Sequence, residues 1–158
     1  KRKPFLFSLM FVVLCVSTGT AQVDQGWHCW QVQVSGIDSF QRADYLSRGL
    51  EKMDLALFSA YSVHSGDGYI ISSMPNIDNI VSYVNNWDRG FTINTFEGIV
   101  LTDSLFLSIY LLRRNIAPDD MYDQELPFVK LGPKRELSIL LYNIASTEWK
   151  RRYNLENQ

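Results

Sequence analysis

His28 and Cys29 sit where they invite metal chemistry, inside the run Trp27-His28-Cys29-Trp30 of this 158-residue chain. Imidazole and thiolate both ligate zinc, and a thiolate suits Cu(I). The obstacle is spacing. If the pair lies in a strand, adjacent side chains point to opposite faces and cannot grip one ion. His64 is the other imidazole that could join either of them. The set Cys29, His28 and His64 therefore stands as an alternative metal site. The plainer reading of Cys29 is a buried thiol among aromatics, and the remaining one is a reactive or intermolecularly paired thiol.

His64 is followed by Ser65 and Asp67, the three residue types of a hydrolytic triad. A triad is defined by converging geometry, which residues this close on a tight turn do not supply, so turn chemistry is the expectation. Pro118, Asp119, Asp120, Asp123 and Glu125 form an acidic loop. Carboxylates are the natural ligands of calcium, but the spacing lacks the alternating oxygens and central glycine of an EF-hand, and a solvated loop is the expectation. There is no Gly-x-Ser-x-Gly, His-Glu-x-x-His, phosphate-binding loop or dinucleotide fingerprint. No catalytic residue and no cofactor are assigned on this basis. A hydrolase whose groups are scattered in sequence and meet only in the fold is an open alternative.

The elements that would carry these residues follow from hydrophobic period. Trp30, Val32 and Val34 alternate with Gln31, Gln33 and Ser35, the pattern of a half-buried strand. Asp38 and Ser39 can cap a helix whose stripe is Ala43, Leu46, Leu50 and Met53. Leu55 to Val63 and Tyr69 to Met74 are β-rich and flank Ser65-Gly66-Asp67-Gly68, a hairpin signal. Asn76 is the expected cap of a second helix carrying Ile77, Ile80, Val81, Val84 and Trp87, which Gly90 ends. Phe91 to Phe96 alternates as a fourth strand, which Glu97-Gly98 should interrupt, with Ile99 to Leu101 offering an extension past a bulge. Two helices on one face of a four-stranded antiparallel sheet make a β-α-β-β-α-β, or ferredoxin-like, α+β arrangement.

Beyond Phe96, Thr102-Asp103-Ser104 offers another cap, and Leu105, Ile109 and Leu112 fit a third helix ending at Arg113-Arg114, though a strand has the same apolar content. Pro133 suits the start of a final helix lined by Leu137, Leu140, Leu141, Ile144 and Ala145, with Trp149 continuing it and Lys150-Arg151-Arg152 in its last turn. This helical extension is expected to lie on the sheet or its free edge, since open faces and edges invite pairing with other chains.

The segment Val32-Gln33-Val34-Ser35-Gly36-Ile37, the stripe ending in Leu50, and the closing set Ile77, Ile80, Val84, Gly90 and Phe91 resemble a heavy-metal-associated domain, the copper- or zinc-binding module of metallochaperones and transport ATPases. That resemblance implies the ferredoxin-like fold. The family holds its ion with a Cys-x-x-Cys pair after the first strand, and here the corresponding positions read Ser39-Phe40-Gln41-Arg42, with no thiol. The resemblance thus implies the scaffold without the activity. Leu126-Pro127, Gly132-Pro133, Tyr142, Trp149 and Tyr153 resemble a C-terminal tail of exported Bacteroidota proteins of unknown function, as does a leader ending in Ala21-Gln22.

Lys1-Arg2-Lys3, the apolar run from Phe5 to Val16, and the small residues Gly19 and Ala21 read as a secretory signal over residues 1–21. Its apolar core, about a dozen residues, is shorter than the roughly 20 of a spanning helix, so no stable membrane anchor is expected after cleavage. Cys15 goes with the leader, leaving Cys29 without an internal disulfide partner. Of 15 basic and 17 acidic residues the leader carries three basic, leaving 12 against 17 and a net charge of −5. Such a surface is poor at attracting nucleic acid. The expected organisation is a ferredoxin-like domain over residues 22–96 and a mainly helical extension over residues 97–158. The expected function is an exported, non-catalytic binding or protein-interaction module of the periplasm or exterior, with another envelope protein as partner. Residual copper or zinc binding is the first alternative.

Overall fold

The computed structural model describes residue 23, residues 26–116 and residues 125–156, with side chains described through Tyr153. The expected leader and most of the acidic loop lie outside the described residues. The order of elements is β1 (His28–Ser35), α1 (Phe40–Lys52), β2 (Phe58–Tyr61), β3 (Asp67–Ser72), α2 (Asp78–Asn86), β4 (Thr92–Ile99), α3 (Asp103–Arg113) and α4 (Arg135–Glu156). The fold is α+β. Its four strands form one antiparallel sheet in the order β2-β3-β1-β4, compatible with a ferredoxin-like arrangement.

The alternation along β1 sorts the interior into two apolar clusters, one on each side of the sheet. Trp30, Val32 and Val34, with Ile70 and Ile93, pack against Ala43, Leu46 and Leu50 of α1 and Ile80 and Val84 of α2. Cys29 points the other way and joins Phe58, Ala60 and Ile71 beneath Phe106 and Tyr110 of α3 and Leu141, Ile144 and Ala145 of α4. The extension therefore covers the face that α1 and α2 leave open. Burying each large side chain of this kind contributes roughly 1.5–3 kcal/mol, so the second cluster makes α3 and α4 integral to the sheet's stability.

Local signals account for the element ends, with several corrections. Ser39 is the cap of α1, its hydroxyl accepting from the Arg42 N–H at 3.3 Å. Thr102 caps α3 in the same way, accepting from Leu105 N–H at 3.1 Å. Asn76 does not cap α2 directly: its Oδ1 accepts from Asp78 N–H at 2.8 Å, making a turn that leads into the helix, and Ile77 holds the cap position. Met53 follows the last turn of α1 and is exposed, because the chain turns away there through Asp54 at φ 57°. Glu97-Gly98 does not interrupt β4. Glu97 pairs with Gln31 and Gly98 with Trp30, whose ring lies across the glycine. The irregularity sits earlier, at Asn94, which is left over where Gln33 pairs with Thr95 and Val34 with Ile93. The Asn94 amide occupies the bulge by donating to Gln33 Oε1 and Ser35 Oγ, both at 2.6 Å.

In α4, Leu140 is exposed, while Leu141, Ile144 and Ala145 carry the packing. Lys150-Arg151-Arg152 is not a last turn, since the helix continues to Glu156. Arg151 and Arg152 instead hold the buried Glu148 carboxylate, at 2.7 and 3.3 Å, and Arg151 is the main reason its carboxyl lies below the ordinary range. Arg152 also donates to the Ser104 carbonyl at 3.0 Å, tying α4 to the start of α3.

Gly36 makes the turn from β1 to α1 at φ 92°, and a Cβ there would lie 2.0 Å from the Gly90 carbonyl oxygen. Gly132 is also left-handed, at φ 53°, but has nothing within 4 Å of such a Cβ. Gly36→Ala should therefore cost on the order of 3 kcal/mol or more, and Gly132→Ala about 1 kcal/mol. Urea unfolding of both variants checks the difference; equal losses would contradict the packing described.

Candidate functional site

The three residues of the alternative metal site are held apart. His28 is exposed and tilted against Trp30 at 5.9 Å, whereas Cys29 is buried on the opposite face among Phe58, Ile71 and Phe106. Burial pushes the Cys29 thiol up to about 12, which keeps it protonated and unreactive at neutral pH. His64 lies in the β2–β3 turn at the other end of β1. His28 is opposite Ser72, while Gly66 accepts from Val34 N–H at 2.9 Å, six residues or roughly 20 Å along the strand. Among the described residues no group of three or more His, Cys, Asp or Glu is placed to hold a metal. Ser62 and Ser65 serve the hairpin, accepting from the N–H groups of His64 and Asp67, both at 3.3 Å.

The loop after β1 is filled by a cation. Arg42 donates to the Gly36 carbonyl at 2.5 Å and the Arg89 carbonyl at 2.7 Å, and its guanidinium lies 4.4 Å over the Phe91 ring. Those contacts fasten the start of α1 to the turn before β4.

A second charged cluster was not foreseen from the sequence. Arg113 does end α3, as the sequence implies, but it is buried and donates to Glu51 of α1 at 2.5 and 3.2 Å. It also donates to the Ser59 carbonyl at 2.8 Å, as does the Ser47 hydroxyl at 3.1 Å. Ser59 belongs to β2, the end strand of the sheet, so these groups cover an edge that would otherwise expose backbone. Ser47 and Glu51 are four apart on the flank of the Ala43-Leu46-Leu50 stripe. That spacing was the available signal that both would turn inward. Burial pushes the Glu51 carboxyl up, and Arg113 opposes that shift. Beside this pair the Ser59 and Tyr61 hydroxyls are buried with no hydrogen-bond partner among the described residues, and burial raises the Tyr61 phenol.

Outside the clamp opens a cleft. One wall is α1 with the end of α3, presenting Asp44, Arg48 and Arg114; the other is the extended stretch of Phe128, Val129 and Lys130. The hollow is about 430 Å³, and through Arg48, Lys130 and Gly132 it meets a second of about 320 Å³ bordered by Lys52 and Lys134. Asp44 is engaged by Arg48 at 2.5 Å and by Arg113 at 3.5 Å, and Lys134 is paired with Asp54. Lys52, Arg114 and Lys130 have no ion-pair partner among the described residues. Among the described residues the cleft thus carries a surplus of positive charge, and a concave site with such a surplus concentrates field there.

The extended wall is fixed by two hydroxyls. Tyr110 of α3 donates to the Pro127 carbonyl at 3.0 Å and accepts from Val129 N–H at 2.9 Å. Ser138 of α4 accepts from Leu131 N–H at 3.0 Å. Leu126, Val129 and Leu131 are buried, while Phe128 and Lys130 are exposed.

Comparison with protein families, curated proteins and solved structures yielded no match.

Removing one member of a buried pair leaves the other charge uncompensated, which costs about 3–5 kcal/mol. Arg113→Met should lose stability in that range at pH 7, and adding Glu51→Gln should recover part of it. Because the Glu51 pKa is raised in the folded state, its protonated form is favoured by folding, and that contribution fades as pH rises through the folded value. The Arg113→Met deficit should therefore shrink on acidification. Urea unfolding across pH 4–7 reads it; a deficit that grows towards acid would contradict the arrangement.

Proposed function

We propose that this chain is an exported, non-catalytic binding module of the cell envelope, and that the cleft between α1 and residues 126–134 takes an anionic partner, another envelope protein in the simplest case. The observation carrying this reading is the convergence of Arg114 and Lys130 on one opening beside Arg48, with no carboxylate among the described residues paired to either. The chain as a whole is mildly acidic, so this local surplus stands against the general charge. Sequence supports the export reading through the basic, apolar and small-residue runs of residues 1–21.

Several observations favour binding over the alternatives. The separation of Cys29, His28 and His64 counts against residual copper or zinc binding. The carboxylates that line the cleft, Asp44 and Glu51, are both engaged by arginines, Asp44 by Arg48 and Glu51 by Arg113, which favours a structural role for them over a hydrolytic one. The strand order and the two helices on one face support a ferredoxin-like β-α-β-β-α-β unit with a helical extension. On this reading the unit is a heavy-metal-associated scaffold in which Ser39 and Arg42 stand where a thiolate pair would hold an ion. Their roles as cap and brace are structural.

Isothermal titration of the full chain with triglutamate at low and moderate salt tests the reading. Binding should weaken with salt, and Arg114→Glu with Lys130→Glu should reduce affinity at least about tenfold with the fold intact by circular dichroism. Undetectable binding, or equal affinity in the double variant, would refute an anion site in the cleft.

A further inference from the structure

We infer that the occupant of this cleft is an extended peptide segment with acidic side chains, which pairs as an added strand with residues 127–131. The inference rests on the reading of the cleft as an anion site and specifies what fills it. In a strand, the N–H and C=O groups of alternate residues point to opposite edges. Here the odd-numbered residues face inward: the Pro127 carbonyl and Val129 N–H meet the Tyr110 hydroxyl, and Leu131 N–H meets Ser138 Oγ. The even-numbered residues Phe128 and Lys130 then present their N–H and C=O groups to the other edge, and neither forms a backbone hydrogen bond among the described residues. Both line the cleft. An unpaired edge of this kind is the template for strand addition, in which main-chain bonds give affinity and flanking side chains give selectivity.

The flanking side chains state the selectivity. Arg114 and Lys130 supply cations without an ion-pair partner among the described residues, Arg48 beside them being paired with Asp44, and Phe40 and Phe128, 38 % and 48 % exposed, supply apolar surface in the same hollow. A strand displaying acidic residues at alternate positions, with apolar or branched residues between them, complements both features. The 430 Å³ hollow and its 320 Å³ continuation run along residues 128–134, a course that suits a short extended stretch.

The probe is a fluorescein-labelled heptapeptide, Thr-Glu-Val-Glu-Val-Glu-Thr, titrated into the full chain by fluorescence anisotropy. Two derivatives carry N-methyl groups at the even or at the odd positions, and a third has Lys in place of Glu. The expected result is binding by the parent, loss of binding by the Lys peptide, at least about a tenfold loss on methylating one parity and little on methylating the other. Lys130→Glu, on an exposed side chain, should abolish binding while leaving the circular dichroism spectrum unchanged. Binding that disappears in Lys130→Glu yet ignores methylation of either parity would overturn the strand pairing and leave the anion site standing. No binding, or binding indifferent to Lys130→Glu, would overturn both. Self-association by sedimentation that Lys130→Glu abolishes would make a second copy the occupant and would equally overturn the peptide assignment.

Discussion

At the free edge of β2 the α1 side of the sheet is joined to the α3 side by one buried guanidinium, with Lys134 beside it donating to the Glu51 carbonyl at 2.7 Å. Arg113 leaves the end of α3, passes the free edge of β2 and closes on Glu51 of α1, donating to the Ser59 carbonyl on the way. The two apolar clusters are separated by the sheet and share no side chain. Burial alone would let each layer settle against its own face. A buried ion pair contributes little net stability over an apolar equivalent, but it is demanding about position, because an unpaired charge in that setting is costly. Its role here is to fix where α3 stands relative to α1, and thereby where the cleft between them opens.

That division of labour explains which features could be read from the sequence. In the first unit β1, β4 and the helices follow from periods of two and 3.6, β2 and β3 from their branched and aromatic content, and the inward faces Trp30-Val32-Val34 and Ala43-Leu46-Leu50 are as the spacing implies. The hairpin and the Ser39 cap follow from residues with strong local preferences. What escaped were matters settled between distant elements. A cation at the end of α3 has a sufficient local explanation in the helix dipole, and nothing near Arg113 in sequence points to a carboxylate 62 positions away. Arg151 and Arg152 are the same case, since a basic run has the composition of a helix end and only the buried Glu148 beside it gives these cations another role.

The cleft was invisible in the sequence for a different reason. Its cations come from α1, α3 and a stretch without regular structure, so no motif gathers them. The candidates that sequence did gather, His28 with Cys29 and His64 with Ser65, were neighbours along the chain, and strand and turn geometry used that proximity to set them apart or to bind backbone. Contiguity marked local structure here, and the concave surface arose from residues that the sheet order and the Arg113 clamp bring together.

The two prolines around the extended wall carry a consequence for its alignment. Val129 and Leu131 are both buried aliphatic residues, so packing alone would tolerate a slip of two positions along the groove. The anchors do not. Tyr110 and Ser138 each require an N–H, supplied by residues 129 and 131. Sliding the chain one way would bring Pro133 to Ser138, and sliding it the other way would bring Pro127 to Tyr110, and proline has no N–H to give. The pair acts as a stop in both directions, keeping Lys130 in the lining of the cleft although its side chain has no ion pair there among the described residues.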